Sequence, residues 1–139
     1  MADSRKPKAE EDTEMRDHRK LDAFNIAHNA ALNTYKATQD FPKEELFGLT
    51  AQMRRAAVSA ASNIVEGAAR DSQADYVRFL GIAYGSAKEL EYQVTLARDL
   101  GYLGGAQFAQ LSGICERSAQ VLNALVRSLR VRKPNAESR

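Results

Sequence analysis

The sequence predicts an all-α fold, an antiparallel up-down four-helix bundle, and three observations support this prediction. Helix-breaking residues interrupt the chain of 139 residues at 40–42, 67–72 and 101–105 and leave four segments of about 20–30 residues each. Within every segment, apolar side chains recur at steps of three and four residues, which is the spacing of one helical face. No alternating strand pattern persists, and short connections favour antiparallel neighbours.

The first, third and fourth segments each carry one apolar stripe, and we expect these stripes to face a common core. In the first segment the stripe consists of Leu21, Phe24, His28, Ala31, Tyr35 and Thr38. In the third it consists of Tyr76, Phe79, Leu80, Ala83, Ala87, Leu90, Val94 and Ala97. In the fourth it consists of Phe108, Leu111, Ile114, Cys115, Leu122, Leu125, Val126 and Leu129. A capping-box pattern from Ser72 to Asp75 predicts the start of the third helix.

The second segment, residues 49–68, has more apolar surface than one core requires. On a helical projection its apolar side chains span about 200°, interrupted only by Arg54, whereas a core-facing stripe is only somewhat wider than about 100°. Four apolar residues also lie away from the stripe of the third segment: Val77, Tyr84, Tyr92 and Leu96. We expect a second copy of the chain, or another partner, to cover this surplus. The alternative is that these are single exposed apolar residues, which are common on protein surfaces.

The narrow polar face of the second segment is a candidate polar network or subunit contact. Arg55, Ser59, Asn63 and Glu66 fall within about 80° of one another, and the arginine offers a planar fork to a carboxylate. The candidate acceptors for hydrogen bonds from this arginine are Glu66, Glu89 and Glu91. The predicted polar network or subunit contact comprises Arg55, Ser59, Asn63, Glu66 and Glu89. A solvent-exposed face with weak ion pairs explains the same residues equally well.

Composition limits the class of protein. The formal net charge is +2, and the single cysteine excludes an internal disulfide framework. Residues 1–20 contain six basic and six acidic side chains, and the chain has neither a secretory signal nor the roughly 18 apolar residues of a membrane span. We expect a cytoplasmic protein without membrane association, with a disordered charged leader at 1–18, the bundle at 19–133 and a disordered tail at 134–139.

Residues suited to catalysis are sparse. His18 and His28 are the only histidines in the sequence, and neither follows a glutamate by three residues. We therefore expect no carboxylate-bridged metal site. His28 is expected to be a partly buried packing residue. Cys115 lies on an apolar stripe, where burial raises the pKa of a thiol. Neither phosphate-binding glycine motif occurs. We expect no enzyme, cofactor, metal or small-molecule substrate. A cryptic enzyme would require Arg55, Glu66 and Glu89 to converge, buried, around a pocket.

Charge is distributed unevenly along the chain. Residues 71–103 carry a local charge of −2 and residues 104–139 a local charge of +4. The candidate nucleic-acid contacts are the cations at the end of the fourth segment: Arg127, Arg130, Arg132 and Lys133. The alternative is that these cations simply suit the negative end of the helix dipole.

Residues 41–103 carry a dense set of motifs: Phe41-Pro42, Leu49-Thr50, Arg54-Arg55-Ala56-Ala57, Ser59, Asn63-Ile64, Glu66-Gly67, Arg70, Ser72, Phe79-Leu80, Ala83, Gly85-Ser86, Glu89-Leu90-Glu91 and Leu100-Gly101-Tyr102-Leu103. With these motifs the chain closely resembles the small four-helix-bundle proteins encoded within 23S ribosomal RNA intervening sequences and their freestanding bacterial relatives. The resemblance spans about residues 19–131. It departs at Ala60-Ala61, where the family often has a larger apolar residue and then a proline, and at the charged leader.

The resemblance implies a four-helix bundle that assembles into a homopentameric ring. It implies little about activity, because most members have no established role. Accessory variability determinant proteins, which act with the reverse transcriptase of diversity-generating retroelements, look like the same bundle but are typically more basic. We therefore expect a non-enzymatic oligomeric binding or scaffold protein for RNA or a nucleoprotein. The alternative is an accessory subunit of a retroelement reverse transcriptase.

Overall fold

Four long helices make up the protein. The computed structural model describes the backbone of residues 8–131 and the side chains of residues 22–130. The helices are α1 (Lys8–Thr38), α2 (Leu49–Ala68), α3 (Gln73–Asp99) and α4 (Gly105–Val131), with a single 3₁₀ turn at Lys43–Glu45 between α1 and α2. No strand occurs in this part of the chain. The predicted all-α class and the four helices are therefore confirmed.

Local chemistry explains where the helices begin and end. Ser72 caps α3, since its Oγ accepts a hydrogen bond from the Asp75 amide at 3.1 Å. At the other end of α3, Gly101 adopts a φ of 83° and the Tyr102 amide donates to the Ala97 carbonyl, as in a Schellman motif. Helix α2 spans Leu49–Ala68, as the segment 49–68 predicts, and Gly67 lies in its last turn.

Contacts between helix ends show that sequence neighbours run in opposite directions. The end of α1 contacts the start of α2, where Arg54 Nε donates to Thr38 Oγ1 at 2.9 Å. The end of α3 contacts the start of α4, where the Arg98 guanidinium lies 4.4 Å from the centre of the Phe108 ring. Each helix packs against the next in sequence, and α4 packs against α1. The helices thus alternate in direction around a closed bundle, as the short connections require.

The core has one cluster in each half of the bundle. Large, almost fully buried side chains fill it, among them Met53, Ile64, Tyr76, Leu80, Leu90, Val94, Leu122 and Leu129. Among the side chains of α1 that the structure describes, residues 22–38, the buried ones are all small: Ala23, Ala27, Ala30, Ala31, Thr34 and Thr38. The side chain of Leu21, predicted to face the core, lies outside the described residues. The two buried threonine hydroxyls donate to backbone carbonyls of their own helix, at 2.7 and 2.8 Å, so they add no unpaired polar atom to the core.

Three expectations about individual side chains need correction. On α1, Tyr35 and His28 are exposed instead of facing the core, because the alanine and threonine face allows closer packing against α2 and α4. His28 stacks on Phe24, with ring centres 5.6 Å apart and an interplanar angle of 8°, at the surface of the bundle. Val77, placed outside the core by its spacing, is buried. The stripes of α3 and α4 otherwise match the buried faces.

The predicted division of the chain stays a prediction. Helical backbone extends back to Lys8, into the stretch assigned to the leader, and residues 1–7 lie outside the described part of the chain. The predicted tail at 134–139 also lies outside it. None of the helices formed by residues 8–131 is long and apolar enough to cross a membrane.

Candidate interaction surface

The outer surface between α1 and α2 has an apolar groove. The groove has a volume of about 500 Å³, and we call it the α1–α2 groove; its lining residues are Tyr35, Leu46, Phe47, Thr50, Ala51, Arg54, Arg55 and Val58. Phe47 is 92% exposed, an extreme value for a phenylalanine. Leu32 on α1 and Val65 on α2 are exposed as well, so the apolar surface of these two helices extends beyond the groove. Exposed apolar surface is more common at interaction sites than elsewhere on a protein, and we therefore treat this groove as the candidate interaction surface.

Local structure holds the groove in place. The 3₁₀ turn places Leu46 and Phe47 immediately before α2. Glu45 anchors this turn, because its Oε1 accepts from the Leu49 amide at 3.1 Å and its Oε2 accepts from the Tyr102 hydroxyl at 2.8 Å. These bonds hold the pKa of the Glu45 carboxyl below its usual range, the bond to the Leu49 amide contributing most, and the carboxylate raises the pKa of Tyr102.

One wall of the groove is cationic. The Arg54 guanidinium lies 4.6 Å from the centre of the Tyr35 ring while its Nε donates to Thr38. Arg55 is exposed beside it, and no carboxylate lines the groove. The groove therefore suits an apolar side chain with an acidic group close to it. The spacing of apolar residues identified Val58 as surplus, but it missed Leu46 and Phe47, because they lie in a connection where helical periodicity carries no information.

The predicted polar network is only partly brought together within one chain. The hydroxyls of Ser59 and Ser86 lie 2.8 Å apart, and Asn63 Nδ2 donates to the Ser59 carbonyl and hydroxyl at 2.9 and 3.1 Å. This cluster joins α2 to α3. Sequence reasoning missed Ser86, whose position on the facing helix only the packing reveals.

The charged members of the predicted network are separate from that cluster. Glu66 pairs with Arg70 at 2.7 Å on the surface. Glu89 is exposed, with Oε2 3.4 Å from the amide nitrogen of Gln93. Within the described residues Arg55 forms no ion pair, so it does not reach either glutamate of its own chain. Because Arg55, Glu66 and Glu89 are all exposed, they do not form the buried convergent cluster that a cryptic enzyme would need.

Helix α3 carries a second exposed apolar surface. Five residues at steps of three and four share one side of this helix, and we call them the α3 stripe: Ile82, Gly85, Glu89, Tyr92 and Leu96. Ile82 is exposed and Tyr92 is 64% exposed, while Leu96 is half-buried. The one charged member is a carboxylate. This stripe confirms that Tyr92 lies outside the core.

The candidate nucleic-acid contacts are described in part. Arg127 and Arg130 are exposed in the last two turns of α4, and neither pairs with a described carboxylate. Arg132 and Lys133 lie outside the described residues. Arg130 is also suitably placed to offset the negative end of the helix dipole, so the position of these cations fits either explanation.

Cys115 is 1% exposed in the core, and burial raises the pKa of its thiol to about 12, as the sequence predicts. The thiol therefore remains protonated at neutral pH and is a poor nucleophile. In the described part of the chain, histidine, cysteine and carboxylate side chains form no group of three or more suited to a metal ion.

Comparison with known proteins identifies a family and solved structures of similar fold. A family model described as "23S rRNA-intervening sequence protein" matches residues 19–124. A crystal structure of a protein of unknown function from Bacteroides thetaiotaomicron, assigned to the S23 ribosomal protein family, aligns with a TM-score of 0.72 at 21% identity, covering 78% of this chain and 98% of that one. This similarity supports the fold. No curated protein matches the chain.

Proposed function

The chain belongs to the 23S rRNA-intervening sequence protein family, and on that premise we propose that it is a homo-oligomeric helical scaffold that binds RNA or a nucleoprotein and catalyses no reaction. The exposed α1–α2 groove is the observation that carries the oligomeric part of this proposal. Burying one phenylalanine side chain contributes about 1.5–3 kcal/mol, and Phe47 obtains almost none of this within its own chain. A second copy of the chain is always present at the same concentration as the first, so it is the partner that we propose for the groove.

The proposed assembly is a ring of five copies in the cytoplasm. The number five derives from the sequence resemblance alone, and the location from the composition of the sequence, which has one cysteine and neither a secretory signal nor a membrane-spanning stretch. Size-exclusion chromatography with light scattering at micromolar concentration is expected to give about five times the 15.4 kDa of one chain. A mass of 15.4 kDa alone would contradict the oligomer, while a different multiple would contradict only the number.

RNA binding is proposed to use the exposed cations near the end of α4. Arg127 and Arg130 lie one helical turn apart and have no carboxylate partner among the described residues. In a ring this pair is repeated in every subunit, which multiplies the number of phosphate contacts. Such contacts are indifferent to sequence, and the logarithm of the binding constant falls by about 0.7 per contact for each tenfold rise in salt on single strands.

Charge reversal tests this RNA site. The double variant Arg127→Glu with Arg130→Glu is expected to abolish retention of a fluorescent single-stranded RNA, and adding the reversal of Arg132 and Lys133 extends the test to the whole cluster. The matched control reverses Lys36 and Arg117, two exposed cations elsewhere on the bundle, and changes the net charge equally.

The outcome discriminates between a specific site and net charge. Undiminished RNA retention by the double variant would show that these arginines are not the contact. Equal loss in the control would show that only net charge matters, which contradicts a defined site. A role as an accessory subunit of a retroelement reverse transcriptase stays a prediction from the resemblance, and a reverse transcriptase encoded beside this chain would favour it.

A further inference from the structure

Two different surfaces of this chain are apolar, exposed and opposite in charge. The α1–α2 groove has Phe47 at its edge and two arginines, Arg54 and Arg55, in its lining. The α3 stripe has Tyr92 as its most exposed member and Glu89 as its charged residue. The groove has no carboxylate in its lining. Beside the stripe, the exposed cations Arg78 and Lys88 each pair with a carboxylate of their own helix, Asp75 and Glu91, so Glu89 is the charged residue of this surface that forms no ion pair among the described residues. The two surfaces are therefore complementary to each other, and neither is complementary to itself.

We infer that the α1–α2 groove of one copy binds the α3 stripe of a second copy, with Arg55 pairing with Glu89 of the second copy across the contact. The inference rests on the proposed homo-oligomer and names the two surfaces that form it. Arg55 forms no ion pair with a carboxylate among the described residues, and the contact that Glu89 makes there is a long one with the neutral amide of Gln93. A contact between copies supplies a carboxylate, which accepts paired hydrogen bonds from the planar guanidinium better than other groups do.

Contacts of each surface with itself are less favourable. Groove against groove would bring the arginines of both copies together without a carboxylate, and stripe against stripe would bring two copies of Glu89 together. Like charges at an interface suppress such pairings. The groove-to-stripe contact joins two different surfaces, so a pair of copies retains one free groove and one free stripe, on different copies, for further copies. An arrangement of this type closes into a ring if the rotation between copies permits and otherwise grows as a filament.

A mixing experiment tests this pairing. The variant Phe47→Asp blocks the groove and leaves the stripe intact, while Tyr92→Asp blocks the stripe and leaves the groove intact. Each variant alone is expected to be monomeric by light scattering, with association weakened about 30-fold or more, as for a central interface residue. Mixed in equal amounts, the two are expected to form a complex of two chains and nothing larger, because only one intact groove meets one intact stripe.

Controls separate assembly from folding. Phe47 and Tyr92 are exposed within the chain, so the helical circular dichroism of both variants should equal that of the original protein. Ala109→Asp places the same charge on an exposed position of α4, away from both surfaces, and should leave the mass unchanged. If either variant loses helical signal, the charge exchange described below tests the contact instead, because it replaces one long charged side chain by another.

The charge exchange tests the ion pair directly. Arg55→Glu or Glu89→Arg alone is expected to weaken association about tenfold, and the double variant, which restores opposite charges, is expected to return to within about threefold of the original affinity. A double variant weaker than both single variants would overturn the pairing of these two residues.

The outcomes distinguish this inference from the proposed function. If the original protein forms an oligomer and both Asp variants retain its full mass, the groove-to-stripe contact is wrong and the oligomeric scaffold stands. If Tyr92→Asp retains the full mass while Phe47→Asp is monomeric, the groove pairs with some other surface and the inference is likewise overturned. If the original protein is itself monomeric, the proposed function fails first, and the inference with it.

Discussion

The close approach of α2 and α3 at Gly67 leads to a specific stability prediction. Gly67 is buried in the last turn of α2, opposite the first turns of α3. A Cβ atom at this position would lie 2.8 Å from Phe79 Cβ and 3.3 Å from both Cδ1 and the carbonyl oxygen of Tyr76. Neither Phe79 Cβ nor a carbonyl oxygen is the far end of a flexible side chain. Substitution of Gly67 by alanine therefore forces the two helices apart.

The magnitude of this effect is the difference between two opposing terms. Adding a methyl group to a closely packed site costs about 1–3 kcal/mol. Replacing glycine by alanine within a helix stabilises it by up to about 1 kcal/mol, and by less in a final turn. We expect Gly67→Ala to lower the free energy of unfolding by about 1–2 kcal/mol, because Tyr76 is fully buried and cannot swing into solvent.

Urea unfolding followed by circular dichroism measures this difference, with all proteins at one concentration because subunit association contributes to stability. The matched control is Gly113→Ala on α4, where an added Cβ meets no atom within 4 Å. In the control only the helix propensity changes, so the free energy of unfolding should rise by about 0.5–1 kcal/mol. A Gly67→Ala protein as stable as the original, or more stable, would refute the conclusion that glycine is required for this helix contact.

Two further predictions concern titratable groups. Because the pKa of Glu45 is lowered on folding, its bonds to the Leu49 amide and the Tyr102 hydroxyl stabilise the protein above the carboxyl's ordinary pKa, and that contribution is lost as the pH falls through the folded-state pKa. Tyr102→Phe should therefore lose less stability than the original protein between about pH 7 and about pH 3 in urea titrations; an equal loss would show that the tyrosine bond does not contribute. Since burial raises the pKa of Cys115 to about 12, the folded protein should react with a thiol reagent at neutral pH at least about 100-fold more slowly than in urea. Comparable rates in the two states would contradict a buried thiol.

Much of the fold could be predicted from local signals in the sequence. The stripes of α3 and α4 consist mainly of large apolar residues, whose periodicity is unambiguous, and all of the stripe residues are buried or half-buried. The start of α3 at Ser72 was also predicted, since a capping hydrogen bond spans only three residues. Periodicity was less informative for α1. Its larger side chains indicated one face, but alanine and threonine form the buried one.

The candidate site could be predicted only in outline. The surplus apolar arc of α2 indicated a covered outer surface, and Val58 and Val65 are indeed exposed. Which residues line the α1–α2 groove depends on contacts between residues distant in sequence, such as the hydrogen bond between Glu45 and Tyr102 that holds the 3₁₀ turn. Whether Arg55 meets a carboxylate of its own chain is likewise a matter of helix packing.

The sequence by itself determined four amphipathic helices, the main positions of their ends and a surplus of apolar surface, because helix formation depends on interactions within a few residues. Only the tertiary structure decided which side of α1 enters the core, how closely α2 approaches α3 at Gly67 and that Phe47 stands out beside a cationic groove. The physical reason is that a hydrophobic pattern records which side chains favour burial, whereas close packing among all four helices selects which of them are buried.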